Sequence, residues 1–491
     1  MSNPQLVPSS ASAQSDLDSE TVDEEIVIQR KNTLLMIPDI FTQLPPVRDS
    51  LATQTSQLQD DTVGKCLPLL SGEDELAEYN EHGLPRLDRA RHVKFLHKNL
   101  AKLPGRFVAA DSSRPWFLYW CLAALTMLGE DVSSYQEAVI ETARSMQNDT
   151  GGFGGGNGQL SHMATTYAVV LALALVGGEK AFEVIDRRAM WRWLSSLKQP
   201  DGGFQVCLGG EEDIRGAYCA SVIISLLQLP LNLAPESPAW TEDGSSDLLT
   251  GVAEYVRRCQ TFEGGISGQP NAEAHGAYAF CALGCLALLD HPGRIFQRYL
   301  DIPRLVAWLS SRQYAPEGGF SGRTNKLVDG CYSHWVGGCF PLIQACLNNI
   351  ASGNDGTEAA YNAAGTGASC TLPPAPETLF SREGLMRYIL CCCQDQSERG
   401  GLRDKPGKMA DAYHSCYVLA GLSSAQHDWD LEEPTAAEEI SATADPVWAV
   451  LPHLEQIFDR RDLVRPIHPV YAIPQQNARA IKDYFRAKQG F

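Results

Sequence analysis

The chain has 491 residues, of which 44% are hydrophobic and 20% are charged, so it contains enough apolar material for a large core. Its formal net charge of −19 argues against nonspecific nucleic-acid binding, which requires clustered Lys and Arg to neutralise phosphates. No run of about 18 apolar residues occurs, so we expect no stable membrane insertion.

Residues 1–30 predict a disordered acidic extension, rich in Ser, Gln and carboxylates. This region has no basic segment followed by an apolar one, so we expect no secretory signal. We expect the 15 cysteines to be reduced thiols in the cytoplasm, most of them small buried apolar side chains. Residues 31–491 should form one domain, with inserted loops at about 230–248 and 348–377, where small and polar residues cluster.

An internal repeat dominates the remaining sequence. Five segments each contain a Gly-Gly turn followed by an apolar helical run that a tyrosine opens. The first glycines are Gly151, Gly202, Gly264, Gly318 and Gly400, and the tyrosines are Tyr167, Tyr218, Tyr278, Tyr332 and Tyr413. An earlier apolar run from Pro115 predicts the helix of a sixth, degenerate unit.

The apolar runs are hydrophobic on nearly all sides and predict buried helices, whereas the segments between them are amphipathic. One buried and one half-exposed helix per repeat predicts an all-α fold, an α/α toroid with an inner and an outer ring. We find no alternating strand pattern of useful length. Closing the ring would bring the polar residues beside the tyrosines to one rim, namely His162, Arg215, His275, Asp329, Cys331, Asp411 and His414.

The rim offers a possible metal site. Asp329 and Cys331 cannot share a face of a regular helix, but a loop with Gly330 between them could direct both inward. Asp411 and His414 are three apart and do share a helical face. Asp, Cys and His all bind zinc, and three protein ligands with one open position is the catalytic pattern. The spacing equally allows a buried thiol beside capping aspartates, because no CxxC or HExxH motif is present.

Other rim residues could bind an anion. Arg323 and Lys326, with Arg215, His275 and Tyr332 at matching rim positions, could hold a diphosphate, although solvated charges explain them too. The GGFGGG string is not a phosphate loop, since no Lys-Ser/Thr follows it and no strand precedes it. The aromatic residues of the inner helices suggest a funnel suited to an isoprenoid chain, although core packing accounts for part of them.

The chain resembles the β subunits of protein prenyltransferases, and among them the farnesyltransferase β subunit, in the strings DSSRPWFLYW, SLKQPDGGF, GGEEDIRGAYCA, EAHGAYAFC, GRTNKLVDGCYS and DKPGKMADAYHSCYVLAGLS. The resemblance covers roughly residues 113–426 and resumes at HPVYAI. It implies zinc-dependent transfer of farnesyl from farnesyl diphosphate to the cysteine of a C-terminal CaaX motif. The open metal position would receive that cysteine and stabilise its thiolate.

The resemblance also implies residue roles. The zinc ligands would be Asp329, Cys331 and His414, with Asp411 supporting the metal site. The diphosphate site would comprise His275, Arg323, Lys326 and Tyr332. The isoprenoid wall would comprise Arg215, Tyr218, Tyr278, Cys281 and Trp335. The peptide-tail pocket would comprise Ser113, Trp116, Trp120, His162, Ala164 and Tyr413.

Three positions indicate farnesyl rather than geranylgeranyl transfer, which is the second hypothesis. Trp116 and Tyr417 resemble the bulky floor that limits chain length in the farnesyl enzyme. Asp404 matches a carboxylate linked to Mg²⁺ assistance of diphosphate departure. Two positions depart from the family, with His334 in place of Phe and Thr165 in place of Pro, and the second leaves the preferred tail residue open.

The implied partners are an obligate helical-repeat α subunit, farnesyl diphosphate and CaaX-tail proteins such as small GTPases. Two other classes of protein that share a toroidal fold are disfavoured. A terpene cyclase needs an acidic DxDD string, and a thioester-type binding domain carries a GCGEQ string. Neither string occurs in the sequence.

Overall fold

The computed structural model describes residues 37–45, 48, 50–73, 78–101, 103, 105–351, 378–432, 447–451, 457–488 and 491. The predicted extension 1–30 and most of the predicted insertion 348–377 lie outside these residues. Within them the α-helices are α1 (Gln54–Leu70), α2 (Arg89–Leu100), α3 (Arg114–Met127), α4 (Gln136–Met146), α5 (Met163–Val176), α6 (Glu179–Phe182), α7 (Arg187–Leu197), α8 (Ile214–Leu227), α9 (Val252–Cys259), α10 (Gly276–Leu289), α11 (Pro292–Tyr299), α12 (Ile302–Ser310), α13 (Tyr332–Trp335), α14 (Cys339–Ala351), α15 (Arg382–Arg387), α16 (Ala412–Gln426) and α17 (Gln475–Ala487).

Four 3₁₀ helices and one π-helix complete the helices of the described residues. The 3₁₀ helices are Asp39–Phe41, Gly105–Ser113, Ser133–Tyr135 and Arg460–Asp462. Helix α15 continues directly as a π-helix, Tyr388–Cys393. None of the helices in the described part of the chain combines the length and apolar character needed to cross a membrane.

The inner ring consists of α3, α5, α8, α10, α13 and α16. Each of these helices packs against the next, and α16 packs against α3, which closes the ring. The apolar character read from the sequence explains this position, since every residue of α5 except Ala164 is buried. The predicted α/α toroid is therefore confirmed.

The outer ring consists of α2, α4, α7, α9, α12 and α15. Its helices are amphipathic, as in α9, where Tyr255 and Val256 are buried while Arg257 and Arg258 face solvent. Acidic or hydroxyl side chains cap several of them; Asp301, for example, accepts a hydrogen bond from the Arg304 N–H at the start of α12.

The Gly-Gly turns join neighbouring units. The first glycine of every turn has a φ between +63° and +103°, and a Cβ there would clash with a backbone carbonyl oxygen at the start of the next outer helix. The second glycine lies against an aromatic ring of that helix. In chain order these rings are Trp193, Tyr255, Trp308, Tyr388 and Phe95. Since Phe95 lies on α2, the last turn packs against the first outer helix and completes the outer ring.

A backbone hydrogen bond, here called the rim bond, recurs where the inner helices begin. An N–H at the start of one inner helix donates to the carbonyl four residues beyond the first glycine of the next unit. The rim bonds run from Met163 to Val206 (2.6 Å), Ile214 to Gly268 (2.8 Å), Gly276 to Gly322 (2.8 Å) and Gly330 to Asp404 (2.7 Å). They hold the N-terminal ends of the inner helices side by side, so these ends form one rim.

The opposite end of the inner ring is covered by the C-terminal segment 464–477. The Arg465 N–H donates to the Met127 carbonyl at the end of α3, at 2.8 Å. The Asn477 side chain donates to the Ala174 carbonyl near the end of α5, at 3.0 Å. The C-terminal segment therefore covers the end of the toroid that lies opposite the rim.

The expectation of no useful strands was wrong at one place. Strands β1 (Asp428–Glu432) and β2 (Val447–Leu451) form an antiparallel pair that buries Trp429, Leu431 and Trp448. The sequence between them lacks the short turn of two to five residues that signals a hairpin, so the pairing has no local signature.

The segment 230–248, predicted as an insertion, lies on the surface between α8 and α9. It contains no helix, and Asn232 pairs with Asp247 across its base in an isolated bridge. The Trp191 indole N–H donates to the Asn232 carbonyl at 2.7 Å, which fixes the loop to α7.

Candidate metal centre and lining of the toroid

Asp329, Cys331 and His414 converge at the rim. One donor atom from each lies within 4.8 Å of the other two, close to the span that a single ion bridges with ligands at about 2.0–2.3 Å. Asp329 and Cys331 lie in the loop that enters α13, and the Cys331 N–H donates to Asp329 Oδ1 at 2.9 Å. His414 lies in the first turn of α16, with Nε2 at 3.2 Å from Asp329 Oδ1.

The repeat explains how a non-helical spacing brings two of these side chains together. In four units the side chain at the start of the inner helix accepts a hydrogen bond from the N–H two residues later. These capping residues are His162, Asp213, His275 and Asp329. Asp329 therefore occupies a position that is a simple helix cap in the other three units, and Cys331 follows it at a fixed distance.

Asp411 fixes the orientation of His414. Its Oδ1 accepts the His414 backbone N–H at 2.7 Å, and its Oδ2 lies 2.7 Å from Nδ1. Nε2 is buried and faces Asp329 Oδ1 at 3.2 Å. A histidine oriented by a carboxylate, together with a thiol and a second carboxylate, is a donor set that zinc accepts. These residues therefore fit a zinc ion.

Charge at this cluster is strongly perturbed. Burial lowers the pKa of His414, but the carboxylates of Asp329 and Asp411 outweigh burial and raise it to about 9. Burial raises the pKa of Asp329, but contact with His414 and Cys331 prevails and lowers it to about 2. Burial also raises the pKa of the Cys331 thiol well above its usual range. Because metal ligation requires a neutral imidazole and a thiolate, metal binding here would release protons.

Of the predicted diphosphate residues, Tyr332 directly follows the candidate ligand Cys331. His275 caps α10, and its Nε2 is 3.1 Å from the Tyr332 hydroxyl. Arg323 forms an ion pair with Glu273, and Lys326 is exposed. The sequence pattern did not predict this ion pair, and both of its members lie close enough to His275 to act on its charge.

Arg215 is tied to the rim by its own capping residue. The guanidinium donates to both carboxylate oxygens of Asp213, with Nε at 2.9 Å from Oδ2. This hydrogen bonding raises the pKa of Arg215, so its positive charge is fixed in place. The acidic partner was not among the predicted site residues.

Eight aromatic side chains form a closed belt around the inside of the inner ring. Neighbouring ring centroids lie 4.4–6.0 Å apart. In order around the belt they are Trp116, Tyr167, Tyr218, Phe280, Trp335, Tyr417, Tyr413 and Trp120. The belt thus joins residues predicted separately for the isoprenoid wall, the peptide pocket and the chain-length floor.

Phe280 is a belt residue that the sequence reasoning missed. It lies five residues after its helix cap, His275, as Tyr167 and Tyr218 lie five residues after theirs. The register of the repeat could therefore have identified it. The Tyr218 hydroxyl donates to the Val470 carbonyl at 2.6 Å, which ties the belt to the C-terminal segment.

The other predicted residues lie close to the belt or the rim. Tyr278 packs on His275 with ring centroids 5.2 Å apart, and Cys281, three residues later in α10, is buried. Ser113 precedes α3, while His162 and Ala164 lie at the start of α5. These three peptide-pocket candidates are therefore at the rim.

Asp404 lies in the loop after the last Gly-Gly turn. Its carboxylate pairs with Lys405, and the two side chains are only 16% and 12% exposed. Burial and the nearby Asp329 raise the pKa of Asp404, although Lys405 opposes them. The predicted carboxylate therefore lies near the metal cluster, already paired with a cation that the sequence reasoning did not include.

Comparisons with known proteins agree with this architecture. A family model described as the prenyltransferase alpha-alpha toroid domain matches residues 87–473. The protein farnesyltransferase subunit beta of Pyricularia oryzae is 60% identical over 460 residues, which cover 93% of this chain and 85% of that protein. The chain belongs to the protein farnesyltransferase β-subunit family.

Further relatives support this membership. The farnesyltransferase subunit beta of Schizosaccharomyces pombe is 37% identical over 437 residues, covering 89% of this chain and 98% of that protein. Among solved structures, Candida albicans protein geranylgeranyltransferase-I complexed with GGPP aligns with a TM-score of 0.57 at 20% identity, covering 82% of this chain and 99% of that one. That likeness shows the shared fold alone. As a member of the farnesyltransferase β-subunit family, the chain is a subunit of a prenyl-transferring enzyme.

Proposed function

We propose that this chain is the zinc-dependent catalytic subunit that transfers farnesyl from farnesyl diphosphate to the cysteine thiol of C-terminal CaaX motifs. The convergence of Asp329, Cys331 and His414 beside the aromatic belt carries this proposal. Family membership adds support, since the relatives at 60% and 37% identity are both farnesyltransferase β subunits.

The metal ligands would act on the acceptor. Zinc at this site would lower the pKa of an incoming cysteine thiol, so that it reacts as a thiolate near neutral pH. Asp411 holds the His414 ring with Nε2 directed to the cluster, which keeps the site ordered for that thiol.

The rim cations would act on the donor. His275, Arg323, Lys326 and Tyr332 would donate hydrogen bonds and positive charge to the departing diphosphate. We propose that Mg²⁺ assists this departure beside Asp404.

The aromatic belt would hold the isoprenoid. Together with Arg215, Tyr278 and Cys281, its rings offer a wide apolar wall, and the bulky Trp116 and Tyr417 would limit the chain to farnesyl. Trp116, Trp120 and Tyr413 would also form the peptide-tail pocket, with the rim residues Ser113, His162 and Ala164.

We propose an obligate helical-repeat α subunit as partner, with small GTPases among the CaaX substrates. Three exposed apolar side chains, in the loops that precede α5, α8 and α16, support a partner that covers the rim. Leu160, Leu208 and Met409 are 85%, 66% and 67% exposed. We also propose a cytoplasmic location, because the buried cysteines of the described chain are free thiols.

The test is metal content measured together with transfer. The chain is co-expressed with its α subunit, dialysed, and assayed for zinc and for farnesyl transfer to a peptide ending Cys-Val-Leu-Ser. We expect about one zinc per heterodimer, and a loss of zinc with at least a roughly 100-fold fall in transfer in Cys331→Ala and His414→Ala. Cys346→Ala, which removes a buried thiol on α14, is the matched control and should retain both properties.

Two outcomes would contradict the proposal at different points. A heterodimer that transfers farnesyl without zinc would refute the metal-ligand assignment. A zinc-containing heterodimer that uses only the geranylgeranyl donor would leave the metal centre intact and refute the roles of Trp116, Tyr417 and Asp404 in donor choice.

A further inference from the structure

One rim bond differs from the other three. The Asp404 carbonyl accepts the Gly330 N–H at 2.7 Å and also the Tyr388 hydroxyl at 2.9 Å. The Cys393 thiol lies at 3.7 Å from the same oxygen. Among the described residues, the carbonyls of the other three rim bonds receive only the backbone N–H. The reinforced bond is the one whose donor, Gly330, lies between the candidate ligands Asp329 and Cys331.

The π-helix brings both side-chain donors to this carbonyl. Tyr388 and Cys393 are five residues apart, and in an α-helix with 3.6 residues per turn they would point about 140° apart. A π-turn bonds each residue to the one five positions on, which places both side chains on one face. Within the described chain, the other outer helices do not take this form.

Tyr255 occupies the same position as Tyr388 in a unit without candidate ligands. Each ring packs against the second glycine of a Gly-Gly turn, Gly203 for Tyr255 and Gly319 for Tyr388. The Tyr255 hydroxyl donates instead to the Glu212 carbonyl, at 3.4 Å, which takes no part in a rim bond. The contact of Tyr388 with a rim bond is therefore not a general property of the repeat.

The loop that carries Asp329 and Cys331 is also closely packed at Gly330. A Cβ at Gly330 would lie 2.7 Å from the Arg403 carbonyl oxygen and 3.1 Å from Cys393 Sγ, so the loop lies directly against the segment that Tyr388 holds. Tyr388 itself is completely buried. A displacement of the Asp404 carbonyl would therefore pass through Gly330 to the ligands on either side of it.

We infer that Tyr388 is a positioning residue for the metal centre, which holds the Asp404 carbonyl and thereby keeps Asp329 and Cys331 in register with His414. This inference rests on the proposed function, because it requires that the three residues bind zinc. Groups that orient metal ligands typically change metal affinity by about 10–100-fold when removed. Since Tyr388 acts through one intervening carbonyl, we expect an effect near 10-fold.

The test compares Tyr388→Phe with Tyr255→Phe, both in the heterodimer with the α subunit. Each substitution removes one hydroxyl from the same position in the repeat. We expect the zinc dissociation constant, measured by competition with a chelator, to rise about 10-fold in Tyr388→Phe and to stay unchanged in Tyr255→Phe. The visible absorption of the Co²⁺-substituted protein, which reports ligand geometry and thiolate coordination, should change only in Tyr388→Phe.

The possible results separate the inference from the proposed function. Wild-type zinc affinity and an unchanged Co²⁺ spectrum in Tyr388→Phe would overturn the inference, as would equal losses in both variants. Failure of the wild-type heterodimer to bind zinc would refute the metal centre itself. If Tyr388→Phe does not assemble, Cys393→Ala removes the weaker donor and should weaken zinc binding a few-fold, and no change there would overturn the inference.

Discussion

The units that begin at Gly264 and Gly400 share a backbone but differ in what they present at the rim. In both, the first glycine packs against an outer helix and a carbonyl four residues later accepts a rim bond. The inner helix of the Gly264 unit begins with His275, whereas that of the Gly400 unit begins with Asp411, which also orients His414. The comparison teaches that the repeat fixes positions, while side chains at those positions determine the chemistry.

The two units also differ in how they attach to the next outer helix. The Gln260 amide bonds both the N–H and the carbonyl of Asp301, which caps α12. At the ring closure, the Gln394 amide oxygen accepts the Asp88 N–H and contacts His92 Nε2 at 3.0 Å. The ring closure therefore has a titratable imidazole, that of His92, against its glutamine amide, whereas the Gln260 amide contacts backbone atoms of Asp301.

The largest predicted effect tests whether both units depend on the same backbone. Gly264→Ala and Gly400→Ala each add a Cβ that clashes with a backbone carbonyl, at a φ that L-residues avoid. We expect each to lower the free energy of unfolding of the heterodimer by about 3 kcal/mol or more, measured by urea denaturation. In Gly209→Ala the φ is also positive but no atom lies within 4 Å, so the loss should be only about 1 kcal/mol. Equal losses at all three sites would show that the packing contact is unimportant.

The second prediction distinguishes the two junctions by pH. Burial lowers the pKa of His92 to about 4, against about 6.5 in an unfolded chain. As pH falls below 6.5 the unfolded form binds the proton first, so the stability present above 6.5 is lost by about 1.4 kcal/mol per pH unit until about pH 4. Hydrogen exchange corrected for intrinsic rates should show α2 losing protection between pH 7.5 and 5.5 while α12 keeps it. Parallel loss in both helices would contradict a local effect of His92.

The smallest predicted effect concerns His334, which occupies a position where other units have an aromatic residue of the belt. His334 lies where Tyr167, Tyr218 and Phe280 lie in other units, and it is buried with both ring nitrogens lacking a hydrogen-bond partner among the described residues. Its ring stacks on Tyr417 at 5.2 Å. His334→Phe keeps the ring and removes two unsatisfied polar atoms, so we expect it to stabilise the protein by about 1 kcal/mol in thermal unfolding. A lower unfolding temperature would mean that the imidazole has a polar partner in solution.

Much of the fold followed from local signals. The apolar runs gave the buried helices, and the repeated Gly-Gly pairs gave turns that require a positive φ, so the toroid could be predicted. The metal candidates could not be assigned from spacing alone, because Asp329 and Cys331 do not share a helical face. The family resemblance carried that step, and the structure brings the three side chains together.

The features that escaped prediction depend on contacts between distant segments. Tyr388 reaches the loop that contains Asp404 because its helix widens into a π-turn. The β1–β2 pair was missed because the strands are separated by a segment with no hairpin turn. Each of these depends on three-dimensional proximity that periodicity does not encode.

The covered far end of the toroid has a consequence for how a ligand could reach the inside of the inner ring. The Tyr119 and Tyr218 hydroxyls are bonded to the Ala472 and Val470 carbonyls of the C-terminal segment, so that end is sealed from within. The inner ring is therefore closed at this end, so a ligand that binds among the belt residues would have to enter and leave at the rim.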